Sequence, residues 1–297
     1  MDKIYVSIVI PVYNEEQNLE PLFDRLTRVM DTFGKPYEII FTNDGSTDLS
    51  PQILRDLFKR RPEEVRIIDF NGNYGQHIAI IAGFERVRGQ VIVTLDADLQ
   101  NPPEEIPKLL AIYERGYDVV GGRWRHRKDP LSRRLCAWIN DRVRAQFTGI
   151  EMLDQGCMLC AYSRRIVDAI AACGERATFI PALAYTLAAH PLEIEVEHQE
   201  RTAGKSKYTN YKLIRLSLDM ITGLSLAPLQ LFTLFSFGSA LATLLLVGIL
   251  LIRRLFHEGV SDAENLFMLF AIMFFLISVV MLGIGLIGEY VGRIYQA

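Results

Sequence analysis

Two runs without one charged side chain, Leu226–Ile252 and Leu266–Gly288, constrain this chain more than any other feature. Each exceeds the roughly 20 apolar residues that a helix needs to cross a bilayer core. Two such runs in succession are hard to bury inside a soluble domain. They predict a transmembrane helical hairpin over residues 226–297, ending in a short tail. The basic residues agree. Lys205, Lys207, Lys212 and Arg215 precede the first run and Arg293 follows the second, against Arg253 and Arg254 between them. That excess places both ends on the cytoplasmic side. The opening Met1-Asp2-Lys3-Ile4 lacks the basic stretch and apolar core of a secretion signal, so the N-terminal part is expected in the cytoplasm.

Residues 1–205 read differently. The whole chain is 50% hydrophobic and 23% charged, enough apolar surface for a proper core. A net charge of −3 gives no general pull toward nucleic acid, so an anionic ligand must be held by a local site. Strand-like runs at Val6–Ile10, Tyr37–Phe41, Val65–Ile68 and Val91–Leu95 alternate with helical segments at Leu19–Met30, Ile53–Phe58 and Ile78–Val87. Such alternation predicts an α/β fold, Rossmann-like, with a mostly parallel sheet covered on both faces. Ligands of these sheets bind beyond the carboxyl ends of the strands. Pro11–Glu16, Asn43–Asp48, Asp69–Tyr74 and Asp96–Gln100 fall at those ends.

Further along, Leu131–Phe147 reads as a basic amphipathic helix and Gly156–Tyr162 as a strand. In residues 206–225, Lys212, Arg215, Asp219 and Thr222 step by three and four among Leu213, Ile214, Leu216, Leu218, Met220 and Ile221. That narrow polar stripe fits a helix lying in the membrane interface, with a core helix as the alternative. Cys157-Met158-Leu159-Cys160 has redox or zinc spacing, but no second Cys/His pair completes a metal site, and a structural role is expected.

Leu95-Asp96-Ala97-Asp98-Leu99-Gln100 places two carboxylates two residues apart just past an apolar strand. Hard oxygen ligands of this kind suit Mg2+ or Mn2+, which needs only one or two carboxylates when a diphosphate supplies the rest. Alone, the pair is also what a surface loop contains by chance. Asn43-Asp44-Gly45-Ser46 closes the second strand. Its carboxylate could accept from a base imide or a ribose hydroxyl, although the same residues make a plain turn. No Gly-x-Gly-x-x-Gly follows the first strand and no Gly-Lys-Ser/Thr loop occurs, so dinucleotide binding and P-loop hydrolysis lose their main signatures.

Together, Pro11-Val12-Tyr13-Asn14-Glu15-Glu16, Asn43-Asp44-Gly45-Ser46, Asn73-Tyr74-Gly75-Gln76-His77 and Asp96-Ala97-Asp98-Leu99-Gln100-Asn101-Pro102-Pro103-Glu104 resemble the inverting nucleotide-sugar transferases of GT-A family 2. Their order is similar to the polyprenyl-phosphate branch, which includes dolichol-phosphate mannose synthase. Within it, Asp154–Leu159, Ala177–Pro181 and Gly204–Tyr208 resemble the transferases that move 4-deoxy-4-formamido-L-arabinose to undecaprenyl phosphate. The resemblance implies a bacterial inner-membrane enzyme of lipid A modification and polymyxin resistance. It would use a UDP-sugar, a polyprenyl phosphate and a divalent cation, in contact with membrane lipid and often as a tetramer.

Carried over residue by residue, the resemblance implies that Pro11, Tyr13, Glu15 and Asp44 hold the uridine. Asp96 and Asp98 would hold the metal and diphosphate, with Gln100 nearby. Arg201 and Lys207 would face phosphate oxygens, with Arg127 a further candidate, and Asp154 matches the position of the catalytic base. One departure stands out: many relatives carry two Asp where this chain has Asn43-Asp44. The acceptor phosphate, with a second pKa of about 6, is already mostly a dianion near neutral pH and needs holding more than deprotonation. Asp154 is therefore expected to orient as much as to abstract. Within the branch, a polyprenyl-phosphate glucosyl- or other hexosyltransferase is the alternative; outside it, the two rival functions are a processive polysaccharide synthase and a non-enzymatic membrane module. The first would need Gln-x-x-Arg-Trp, but Val120 stands at the Gln position before Arg123-Trp124. The second would leave the paired Asp without a purpose.

Overall fold

A computed structural model describes residues 3–124, 157–173, 179–199, 227–256 and 262–296. It divides into two compact units, Met1–Ser217 together with Ala297, and Leu218–Gln296. The expected helices at 131–147 and 206–225 lie outside the described residues.

In the first unit the order is β1 (Val6–Val12), α1 (Leu19–Phe33), β2 (Tyr37–Asn43), α2 (Ser50–Arg60), β3 (Val65–Asp69), α3 (Gln76–Phe84) and β4 (Val91–Thr94). A short 3-10 turn at Pro103–Glu105 leads into α4 (Ile106–Tyr113), then β5 (Val119–Trp124) and β6 (Cys160–Ser163). The unit continues with α5 (Arg164–Cys173), α6 (Ile180–Leu187) and β7 (Pro191–Val196). The seven strands form one sheet in the order β3-β2-β1-β4-β6-β5-β7. β3, β2, β1 and β4 run parallel, β6 runs antiparallel to β4 and β5, and β7 is parallel to β5. The sheet is thus mostly parallel, as the strand–helix alternation predicts.

β1, β2 and β4 are buried along their whole length, which is why they read as unbroken apolar runs. Val6, Ile8, Ile10 and Val12 face one side and pack with Leu19, Leu22, Leu26 and Met30 of α1. Val9 faces the other side, where Gly83 lets α3 approach closely; a Cβ there would lie 2.4 Å from Val9 Cγ1. β1 runs on through Pro11 to Val12, past Ile10 where the apolar run of the sequence ends. The Leu95 amide donates to the Val9 carbonyl, and β4 pairs with β1 only as far as Val9. Two residues on, the missing N–H of Pro11 points to the side β4 has left, so no ladder bond is lost.

At the opposite end of the sheet, Glu38 is fully buried. Burial pushes its carboxyl up, but hydrogen bonds from Ser7 Oγ at 2.6 Å, the Arg88 amide at 2.7 Å and Arg88 Nε at 2.8 Å outweigh that and hold it below the usual range.

The second unit consists of α7 (Ala227–Phe256) and α8 (Asp262–Gln296). At 1.5 Å per residue they are about 45 and 50 Å long. The Phe232 ring of α7 occupies the notch at Gly283 of α8, where a Cβ would lie 2.4 Å from Phe232 Cε1. Gly238 and Gly285 have nothing within 4 Å of such an atom, so of these small residues Gly283 is the one that joins the helices. Leu234, Phe237 and Phe274 are exposed. Among the described residues, no helix is long and apolar enough to cross a membrane.

Candidate active site

β1 leads outward to β2 and β3, and the chain then returns across them through α3 to β4 on the other side of β1. The carboxyl ends of β1 and β4 therefore flank a topological switch point, where crossover connections diverge and open a crevice. The residues singled out in the sequence collect there.

On the β1–β2 side two loops are latched together. The Asn14 amide donates to Ser46 Oγ at 3.0 Å and the Thr47 amide to Asn14 Oδ1 at 2.8 Å. Asn14 adopts a left-handed φ of 54°, a conformation that Asn tolerates better than most residues. The Glu15 amide donates to Ser50 Oγ at 3.0 Å, and Glu15 Oε2 accepts from Asn18 Nδ2 at 2.7 Å. Pro11 is buried within β1, while Tyr13 is exposed just past its end.

Asp44 is only 3% exposed. Its Oδ1 accepts from the Tyr74 amide at 2.7 Å and its Oδ2 from the Gly75 amide at 2.9 Å. A carboxylate offers about four lone-pair sites, so these bonds leave acceptor capacity for a ligand. Gly45, at φ +67°, lets the same loop close in; a Cβ would lie 2.4 Å from the Gly72 carbonyl carbon. Asp44 thus pins a strap, residues 71–76, across the mouth of the crevice. Tyr74 on that strap is 53% exposed, its ring edge-on to Phe70.

On the β4 side, Asp96 and Asp98 leave the strand at Leu95 and are both half-buried. Gln76 Nε2, at the start of α3, donates to Asp96 Oδ1 at 2.7 Å. Asp98 Oδ1 accepts from the Gln100 amide at 3.1 Å. The turn is completed by Leu99 in a left-handed conformation, φ 62°, a strained geometry for a branched side chain. The Gln100 carbonyl accepts from the Gln199 amide at 2.9 Å, tying the exit of β7 to this turn. Next to it, Asn101 Oδ1 accepts from Trp124 Nε1 at 3.0 Å, and His198 stacks on the Trp124 ring at 4.1 Å. Trp124 is therefore a packing element here.

Among the described residues, no group of three or more His, Cys, Asp or Glu side chains could hold a metal alone. Two carboxylates on one turn fit a cation whose remaining ligands come from a diphosphate. His77 follows Gln76 on α3 and lies edge-on to Phe179 at 5.7 Å between ring centres. Burial pushes its imidazole down to about 4, so it is neutral at physiological pH. Cys157 and Cys160 are buried thiols, and burial pushes that of Cys160 up to about 12, in keeping with a structural role.

The structure brings Tyr13, Glu15, Asp44, Asp96, Asp98 and Gln100 to one end of the sheet. Arg127, Asp154, Arg201 and Lys207 lie outside the described residues. Tyr74 and Gln76 were given no separate role by the sequence. Both sit in a recognised motif, but only their partners across the crevice show what they hold.

Residues 7–171 match the glycosyl transferase family 2. Over 292 residues the chain is 47% identical to the undecaprenyl-phosphate 4-deoxy-4-formamido-L-arabinose transferase of Shewanella sediminis (strain HAW-EB3), covering 98% of this chain and 88% of that one. It is 47% identical over 291 residues to the transferase of the same name from Proteus mirabilis (strain HI4320), covering 98% and 89%. A solved structure, glucosyl-3-phosphoglycerate synthase from Mycobacterium tuberculosis in complex with Mn2+, uridine diphosphate and phosphoglyceric acid, aligns with a TM-score of 0.52. It is 18% identical, over 75% of this chain and 78% of that one, a likeness of fold alone.

Proposed function

The chain belongs to the glycosyl transferase family 2, with a GT-A α/β first unit, and from that premise we propose that it transfers 4-deoxy-4-formamido-L-arabinose from its UDP derivative to undecaprenyl phosphate. The observation that carries this is the pairing of two acidic sites at one switch point. Asp44, with its latched loops, forms the nucleoside side, and Asp96 with Asp98 forms the diphosphate side. Near-complete coverage of relatives that carry this name supports the choice of sugar and acceptor. So does Phe179, which belongs to the motif that singled out the sugar and packs against His77 of the helix beside the donor site.

The transfer is a single displacement. An oxygen of the lipid phosphate attacks the anomeric carbon, the bond from that carbon to the diphosphate oxygen breaks, and UDP leaves with inversion. Pro11, Tyr13, Glu15 and Asp44 orient the uridine. Asp96 and Asp98 would hold Mg2+ or Mn2+, which when bound supplies positive charge against the departing diphosphate. Arg127, Arg201 and Lys207 bring cationic groups to the phosphates, and Asp154 orients the acceptor. Since the acceptor dianion is itself a nucleophile, positioning and charge supply most of the rate.

Counted on the full sequence rather than on the described residues alone, the uncharged runs Leu226–Ile252 and Leu266–Gly288, with the exposed Leu234, Phe237 and Phe274, support placing these two segments across a bacterial inner membrane, with residues 1–205 in the cytoplasm and 206–225 in the interface. A homo-oligomer, as is common in the branch, completes the proposal.

The test is a donor panel with purified full-length protein, undecaprenyl phosphate and Mg2+. Label should pass from the formamido-arabinose donor into organic-extractable lipid faster than from UDP-glucose or other UDP-hexoses. Transfer from a hexose donor alone would reassign the sugar. A lengthening product would indicate a polysaccharide synthase, and no lipid product from any donor would overturn the transfer.

A further inference from the structure

We propose that Gln76 is a positioning residue of the diphosphate site, helping to fix the rotation of the Asp96 carboxylate through the 2.7 Å hydrogen bond from its side-chain amide to Asp96 Oδ1. The inference rests on the assignment of Asp96 and Asp98 to the cation and diphosphate.

Asp96 needs such a partner. The last residue of β4 paired with β1 is Thr94, and the Leu95 amide makes the final bond to the Val9 carbonyl. Asp96 therefore stands on backbone that has already left the sheet, and the strand no longer dictates where its carboxylate turns. A cation held by only one or two carboxylates depends on their orientation. A hydrogen-bond donor behind a ligand is the usual means of supplying it.

Gln76 is built to be that donor. It is the first residue of α3, so its backbone position is set by the helix start, where the Ala79 amide bonds to the Gly75 carbonyl. The two residues before it are clamped by Asp44, through the Tyr74 and Gly75 amides. Behind it, α3 is seated on β1 by the close approach of Gly83 to Val9. The strap is thus fastened at the end of β2, crosses the crevice, and presents one amide to the carboxylate at the end of β4.

The choice of residue fits the task. A neutral amide orients the carboxylate and leaves its negative charge intact for the cation. Lys or Arg at this position would compete with the metal for that charge, and an apolar residue would orient nothing. The arrangement also joins the two halves of the site physically, because whatever holds Asp44 against the strap holds Gln76 against Asp96.

The experiment uses full-length protein in detergent and two variants, Gln76→Ala and Gln76→Met. Met fills nearly the volume of Gln without a donor, so it keeps the test alive if the Ala variant does not fold. UDP binding is measured by calorimetry with and without Mn2+, and the Mn2+ concentration for half-maximal transfer is measured alongside. In the parent, Mn2+ should tighten UDP binding. In both variants that enhancement should fall about 10-fold and the half-maximal Mn2+ concentration should rise correspondingly. Metal-free UDP binding, which the uridine loops govern, should stay within about 2-fold in both variants. If Met retains the full enhancement, Gln76 only fills space and the proposal is overturned. If the parent itself gains nothing from Mn2+, the assignment of Asp96 and Asp98 to a cation fails, and the role of Gln76 goes with it.

Discussion

Asn43 and Asp69 end adjacent parallel strands, and the Asn43 side-chain amide donates to the Asp69 carboxylate across 2.9 Å. Asn43 Oδ1 meanwhile accepts from the Ser46 amide at 3.1 Å, shaping the turn that carries Asp44. In this chain a second carboxylate would face Asp69 with no proton between them. Asn43→Asp should destabilise the protein by roughly 1–2 kcal/mol at neutral pH. Thermal unfolding followed from pH 7 to pH 4 should show the gap to the parent closing as one carboxyl of the new pair takes up a proton.

Asp98→Ala should reduce transfer by about 100-fold or more, because it removes a carboxylate that would hold the cation set against the charge developing on the diphosphate. Asp154→Asn should leave measurable transfer, since the lipid phosphate reaches its nucleophilic form unaided near pH 7. Initial rates with saturating donor check the ranking, and an equally complete loss in both variants would overturn it.

His77 predicts an acid-labile fold. Its folded value of about 4 lies below the ordinary 6.5, so the folded state resists a proton that the unfolded chain accepts. Stability from this group is complete above pH 6.5 and declines as pH falls from there toward 4, by at most about 3 kcal/mol. Denaturant midpoints across that window should flatten in His77→Phe, whose side chain cannot be protonated.

Gly45→Ala should loosen the strap. The backbone there has φ +67°, and the added Cβ would meet the Gly72 carbonyl carbon at 2.4 Å. A cost of roughly 1–3 kcal/mol is expected. If Asp44 and the strap serve the nucleoside, KM for the UDP-sugar should rise several-fold with a smaller change in kcat. An unchanged KM with lowered stability would confine Gly45 to folding.

The sequence by itself determined the parallel half of the sheet, because β1 to β4 read as apolar runs separated by helices of period 3.6, and β1, β2 and β4 are buried on both faces. It also placed Asp44, Asp96 and Asp98, since parallel strands all deliver their next loop to the same edge of the sheet. β5 and β7 were not legible. Gly121 and Gly122 interrupt the first, and Glu193 and Glu195 alternate through the second, so neither resembles a buried strand until each finds the other. Only the tertiary structure decided that Asp44 holds the strap, that Asn43 must donate to Asp69, and that Gln76 reaches Asp96 from 20 residues away. Periodicity is a local property, imposed by the geometry of one strand or helix. A hydrogen bond between side chains depends on where two separate elements are packed, and that is settled by the core beneath them.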